Sequence, residues 1–161
     1  MILHSIPPIF NSQSEILILG SFPSVRSRET AFFYGHPQNR FWKVLAAVNH
    51  CPVPETVEEK THLLLENHIA LWDVIASCDI EGSSDSSIRH VVPNDLSPIL
   101  SSANIRQIFT NGGKADELYR RYLFPVTGRE AIRLPSTSPA NAGCSLEKLI
   151  DAWQIIRQNR D

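Results

Sequence analysis

Cysteine is scarce in this chain, and its placement offers nothing for joint chemistry. Cys51, Cys78 and Cys144 are the three cysteines; they lie far apart without a C-x-x-C pair, so they suggest neither a disulfide framework nor a zinc or iron–sulfur site. Free thiols and no metal are expected. Long apolar runs are missing too. No segment approaches the ~20 residues of a membrane span, and the N-terminus lacks the basic start and apolar stretch of a signal peptide, so the expected setting is the cytoplasm, without a membrane partner. Basic charge is not in excess either. A formal net charge of −2 argues against a broadly basic surface that coats nucleic acid, and leaves local clusters open. The phosphate-cradling G-x-x-x-x-G-K-[ST] loop and the G-x-S-x-G nucleophile elbow are absent, which weighs against a nucleotide hydrolase or a serine esterase. There is no internal repeat and no low-complexity tract.

What is present is an ordinary globular composition. The 161 residues, 42% hydrophobic and 20% charged, match one compact domain spanning residues 1–161, expected to act as a monomer. Glu15-Ile16-Leu17-Ile18-Leu19-Gly20 is a nearly continuous aliphatic run and reads as a strand buried on both faces. Further strands are expected at 69–74, 105–110 and 131–134. Helices are expected between them: one from Arg40 to Asn49 with Phe41, Val44, Leu45 and Val48 as its apolar stripe, and one from the Thr56–Glu59 capping box to Glu66. Others are a short one to about Ser102, one after Asn111-Gly112-Gly113-Lys114 reaching about Leu123, and a final one capped by Ser145. The last is expected to pack Leu146, Leu149, Ile150, Trp153 and Ile156 inward. Residues 78–89 carry no period and read as a loop. Alternating strands and helices define an α/β fold, a short four-stranded parallel sheet with helices on both faces.

Unusual chemistry collects in three places. Ser21-Phe22-Pro23-Ser24 follows the first strand at its carboxyl end, where open α/β sheets bind ligands; the alternative is a simple turn. Gly35-His36-Pro37-Gln38-Asn39-Arg40-Phe41-Trp42 places an imidazole, two amides and a guanidinium where a loop becomes a helix. Asn39 reads first as a helix cap, though an amide held rigidly at a helix start also suits the orientation of a polar substrate or water. Pro135-Ser136-Thr137-Ser138-Pro139 sets three hydroxyls between prolines, either a solvated loop or a grip for phosphate oxygens. Arg26, Arg28, Arg40 and Lys43 form a local basic cluster against the single acid Glu29. Asp73, near the end of the second strand, is read as a turn cap in preference to a catalytic acid.

These residues carry a resemblance. Gly20-Ser21-Phe22-Pro23-Ser24 followed by Tyr34 to Trp42 resembles the first motif of the uracil-DNA glycosylase superfamily, most closely its hypoxanthine-DNA glycosylase branch. Leu134 to Asn141 resembles that branch's second motif, and Gly82 to Arg89 a shared middle segment. The resemblance implies a metal- and cofactor-free monofunctional glycosylase of the three-layer α/β/α type, with DNA containing a deaminated base as its partner. Phe22 stands where many relatives have Asp or Asn and cannot activate water, so the resemblance passes the catalytic part to Asn39. The tip Ala140-Asn141-Ala142 replaces the leucine and arginine wedge of mismatch-specific relatives.

The expected chemistry follows. The extruded base would lie against Gly20, Ser21, Phe22, Pro23 and Tyr34, with an aromatic ring stacked on it. Asn39 would orient water or hydrogen-bond the base, with His36 as a helper. Ser136, Thr137, Ser138 and Asn141, with Arg26, Arg28, Arg40 and Lys43, would hold the DNA backbone. Hypoxanthine is the expected base, ahead of uracil or xanthine. A uracil- or mismatch-specific glycosylase, a silent damage-binding domain and an enzyme acting on free nucleosides remain as alternatives.

Overall fold

The structure, a computed structural model, describes residues 1–158. After a two-residue strand β1 (Ile2–Leu3), the chain enters β2 (Ile16–Gly20), every residue of which is buried. Then come α1 (Val25–Thr30), α2 (Phe41–Val48), α3 (Val57–Glu66), β3 (Ile69–Asp73), β4 (Ile75–Asp79), β5 (Arg89–Pro93) and α4 (Ser97–Ser102). The last part contains β6 (Gln107–Asn111), α5 (Gly113–Leu118), α6 (Phe124–Thr127), β7 (Ala131–Leu134), α7 (Leu146–Trp153) and α8 (Ile155–Gln158).

Strands β3, β2, β6 and β7 pair in that order, all parallel, giving the expected four-stranded sheet. Alternation along β2 explains why its run is continuous. Ile16 and Ile18 face a layer containing Phe41, Val44, Leu45, Leu149 and Trp153, whereas Leu17 and Leu19 face Ile99, Ile105, Leu118 and Tyr119. Helices therefore cover both faces, and the strand needs apolar side chains at every position.

The Thr56–Glu59 capping box forms as expected: Glu59 N–H donates to Thr56 Oγ1 at 3.0 Å, and Thr56 N–H donates to Glu59 Oε1 at 3.2 Å. The Glu55 N–H also donates to Glu59 Oε1, at 2.9 Å, and it and the Thr56 N–H hold the Glu59 carboxyl below its ordinary range.

Three expectations need correction. Residues 78–89 are not all loop, because β4 and β5 pair antiparallel and β1 joins β4 to complete a second sheet. Register shifts within the β4–β5 pair erase the period-two signal that would have marked these strands. The helix after Gly112 does not stop at Leu123 but continues to Thr127 through one widened π turn, Tyr119–Leu123. Pro125, having no N–H, cannot extend a regular ladder there. The final helix breaks at Gln154, and Leu146, in its first turn, is 37% exposed and does not join the core.

Candidate functional site

Strands β2, β3 and β6 end at one edge of the parallel sheet, and the loops that follow β2 and β7 meet there with the loop preceding α2. They enclose a cleft of about 300 Å³. Of the residues singled out from sequence, Gly20, Ser21, Phe22, Pro23, Tyr34, His36, Asn39, Ser136, Thr137 and Ser138 line it. Arg26, Arg28, Arg40, Lys43 and Asn141 do not.

Asn39 is fixed by its neighbours. Its Oδ1 accepts from the Phe41 N–H at 2.9 Å and from the Thr137 hydroxyl at 2.9 Å. Thr137, fully buried, is pinned in turn: its Oγ1 accepts from Asn111 Nδ2 at 3.0 Å, and its N–H donates to Asn111 Oδ1 at 3.1 Å. The backbone N–H of Phe41 can only donate, so the amide has one possible orientation. Both lone pairs of Oδ1 are occupied, and the Nδ2 group is left for the cleft. A cap-like bond and a place in the cleft thus coexist at Asn39, which bonds the helix-start N–H from one position before the N-cap, Arg40.

Tyr34 adopts a left-handed backbone, φ 53°, and stacks on Phe41 with ring centroids 4.0 Å apart and planes 19° from parallel. One face of its ring is therefore already covered. Its hydroxyl is buried without a hydrogen-bond partner. Burial, with the Asp73 carboxylate adding to it and the Asn111 side chain pulling the other way, pushes the phenol far above its ordinary value and keeps it a proton donor.

Gly20 is required by close approach. A Cβ there would lie 2.4 Å from Asp73 Oδ1 and 2.8 Å from the Tyr34 hydroxyl. Phe22 packs edge-on against His4, ring centroids 6.0 Å apart, and under the Arg28 guanidinium at 5.7 Å. His36 sits exposed at the mouth of the cleft, its Nδ1 accepting from the Gln38 N–H at 3.1 Å.

Several side chains have work other than the sequence suggests. Asp73 caps no turn: it is 3% exposed, lines the cleft and accepts through Oδ2 from His4 Nε2 at 2.8 Å. Arg40 donates to the carbonyls of Ser138 at 3.0 Å, Asn141 at 3.1 Å and Cys144, tying the 136–144 loop to the start of α2. Asn141 closes the same loop through Nδ2 to the Ser136 carbonyl at 3.0 Å. Thr137 has its hydroxyl committed to Asn39 and Asn111, so it has none for a phosphate. Arg28 donates to the Gly82 carbonyl at 2.5 Å. Arg26 and Lys43 remain exposed, Arg26 only loosely paired with Glu29 at 3.8 Å.

Among the residues not singled out from sequence as site residues, Asp73, Asn111 and Asp85 line the cleft and His4 holds Asp73. Asp73 could have been, since an aspartate ending a buried strand beside the ligand loop is a warning sign. Asn111 at the end of β6 has the same signal. Asp85 lies in the loop that links β4 and β5 and is exposed overall; its Oδ1 accepts from Ser21 Oγ at 3.3 Å, and partial desolvation at the cleft rim raises its carboxyl above the ordinary value against the opposing pull of Ser21 and Lys114. His4 had no local signal, because its partner is distant in sequence.

The chain thus carries a polar cleft at the carboxyl edge of an α/β sheet, lined by amides and carboxylates. The model of the uracil DNA glycosylase superfamily matches residues 7–157. A Methanosarcina acetivorans protein named hypoxanthine DNA glycosylase is 38% identical over 158 residues, covering 97% of this chain and 98% of that protein. Its namesake from Methanosarcina barkeri is 33% identical over 149 residues, covering 91% and 92%. The solution NMR structure of a candidate uracil DNA glycosylase from Methanosarcina acetivorans superposes with a TM-score of 0.83 at 34% identity over 100% of both chains. The chain belongs to the uracil DNA glycosylase superfamily.

Proposed function

We propose that the chain is a monofunctional DNA glycosylase that takes a deaminated base, hypoxanthine foremost, out of the DNA stack and hydrolyses its N-glycosidic bond, leaving an abasic site. The relatives named above support this reading, and the locked Asn39 amide carries it. Bond cleavage develops negative charge on the leaving base and oxocarbenium character on the sugar. A donor whose geometry is set in advance acts on that charge without reorganising, and Nδ2 of Asn39 is such a donor. Its carbonyl oxygen already has two donors, so Asn39 acts on the base and not as the acceptor that orients water.

With the base in the buried floor, the sugar lies nearer the rim, where Asp85 presents its carboxyl. Asp85 stabilises the cationic sugar and orients the attacking water. Exposed Arg26 and Lys43, together with Ser136 and Ser138, hold the flanking phosphates, while Arg40 and Asn141 shape the loop that presents them.

The test is direct. Oligonucleotides carrying one deoxyinosine, deoxyuridine or deoxyxanthosine are incubated with the protein and treated with alkali. Strand scission at the lesion, with deoxyinosine fastest, is the expected result. No scission at any lesion, with binding retained, would overturn the enzymatic reading in favour of a damage-binding domain; turnover of free nucleosides alone would overturn the DNA substrate.

A further inference from the structure

One of the carboxylates of the cleft sits on a loop that has no means of its own to hold it there. Ile80 and Ile88 rest on the core at the two ends of that loop, and Glu81 to Ser86 between them are all exposed and include no apolar side chain. Its internal bonds, from the Glu81 N–H to Ser87 Oγ at 2.8 Å and from Ser87 Oγ to the Ser84 carbonyl at 2.7 Å, close the loop on itself without attaching it to the cleft. Three hydrogen bonds join it to the segment after β2. The Arg28 guanidinium donates to the Gly82 carbonyl at 2.5 Å, the Val25 N–H to Ser83 Oγ at 2.9 Å, and Ser21 Oγ to Asp85 Oδ1 at 3.3 Å. The last of these is long, so it follows the position of the loop more than it sets it. Arg28 is itself braced. Its guanidinium lies over the Phe22 ring, 5.7 Å from the centroid, and Phe22 in turn packs on the core and edge-on against His4. Its Nε is buried without a hydrogen-bond partner, a cost that the placement of this guanidinium has to offset.

We infer that Arg28, braced on Phe22, is a positioning residue: it clamps the 82–85 loop and so sets the Asp85 carboxyl at the rim of the cleft. The inference deepens the glycosylase reading above and rests on it for the task of Asp85 at the sugar. It gives Phe22, which cannot activate water, a part in the reaction at two removes. It also separates Arg28 from Arg26 and Lys43, the exposed cations of the same cluster. Arg28 does not act on Asp85 by charge, since the groups that pull that carboxyl down are Ser21 and Lys114. Its effect passes through the backbone at Gly82. A loop released from the clamp moves the carboxyl away from the sugar and into water, and a displacement of about 1 Å is enough to remove most of the benefit of a charge placed in advance.

Carbon-detected NMR follows the Asp85 carboxyl through a pH titration of the free protein, with no substrate present. In the wild type it should titrate above the ordinary carboxylate range; in Arg28→Ala its midpoint should fall toward that range, because the freed loop returns the group to water. The sign separates two roles, since removing a nearby cation from a loop that stays in place would raise the midpoint. Arg28→Lys, which keeps a cationic donor over the ring, should recover most of the wild-type value. Ser83→Ala, which drops the second tether and leaves Arg28 intact, should move the midpoint the same way by a smaller amount, and it serves where Arg28→Ala does not fold. Base release from a deoxyinosine duplex is scored separately. Arg28→Ala should lower kcat by about 10- to 100-fold, leave KM within about threefold, and add nothing to the loss already present in Asp85→Asn. The salt slope of binding should not change. A midpoint that stays or rises in Arg28→Ala, a full further loss on top of Asp85→Asn, or a salt slope reduced by about one would each overturn the inference, the last by returning Arg28 to the phosphates. A midpoint that falls in Arg28→Ala while the wild-type protein releases no base would sink the glycosylase reading alone, and release with an unmoved midpoint would sink this one alone.

Discussion

Replacing Asn39 separates its two jobs. Asn39→Ala removes both the cap acceptor and the cleft donor; it should abolish base release, leave DNA affinity within a few fold, and lower stability by about 1 kcal/mol. Asn39→Asp retains an acceptor for the Phe41 N–H and the Thr137 hydroxyl, so its melting temperature should stay near wild type. It faces the leaving base with a carboxylate oxygen and should be just as inactive. An active Asn39→Asp would mean that the residue serves through Oδ1 after all. Asp85 offers a test by pH. Its carboxyl is raised by partial desolvation, and only the ionised form can stabilise a cationic sugar, so release should fall as pH drops through a value above the ordinary carboxylate range. Asp85→Asn should be slow at every pH and should lose that acid limb; an unchanged limb would assign it to another group.

At the scale of elements, the close packing at the end of β2 makes its own prediction. Gly20→Ala forces a methyl into Asp73 Oδ1 and the Tyr34 hydroxyl, and neither can withdraw easily, the first held by His4 and the second stacked on Phe41. A loss of about 1–3 kcal/mol, seen in denaturant titration, should accompany loss of base binding. Wild-type stability would show that the floor yields. What could be read in the sequence divides along the same line. β2, α2 and α3 were legible because each announces itself locally, by a doubly buried apolar run, a helical stripe or a capping box. Asn39 and Ser21 were legible because they sit in a contiguous motif. The β1–β4–β5 sheet was not, since β1 is two residues long and the β4–β5 register is irregular. His4 and the true setting of Asp73 were hidden for a related reason: their bond spans 69 positions, and no pattern within one element records it. Arg40 was legible as important but not as a loop anchor, because backbone carbonyls leave no trace in the sequence.

For the whole molecule, charge sets the DNA footprint. A chain of net charge −2 whose Arg28 and Arg40 already bind carbonyls has Arg26 and Lys43 as the exposed members of its basic cluster. The logarithm of duplex affinity should therefore fall against the logarithm of salt with a slope of about −2, and Arg26→Ala should reduce it by about one while weakening all sequences alike. A slope near −4 would return Arg28 and Arg40 to the phosphates. The amide at the centre of the site has one more property, which concerns time. Asn39 is held by Thr137, 98 positions later, and Arg40 by Cys144, 104 positions later. On the ribosome, the motif that looks most like an active site is thus made early and stays unarmed until nearly the whole chain has emerged. Contacts this distant form late in folding, so in a refolding experiment glycosylase activity should return with the slowest global phase and never ahead of it. A partly made chain then carries no base-releasing chemistry into the cell.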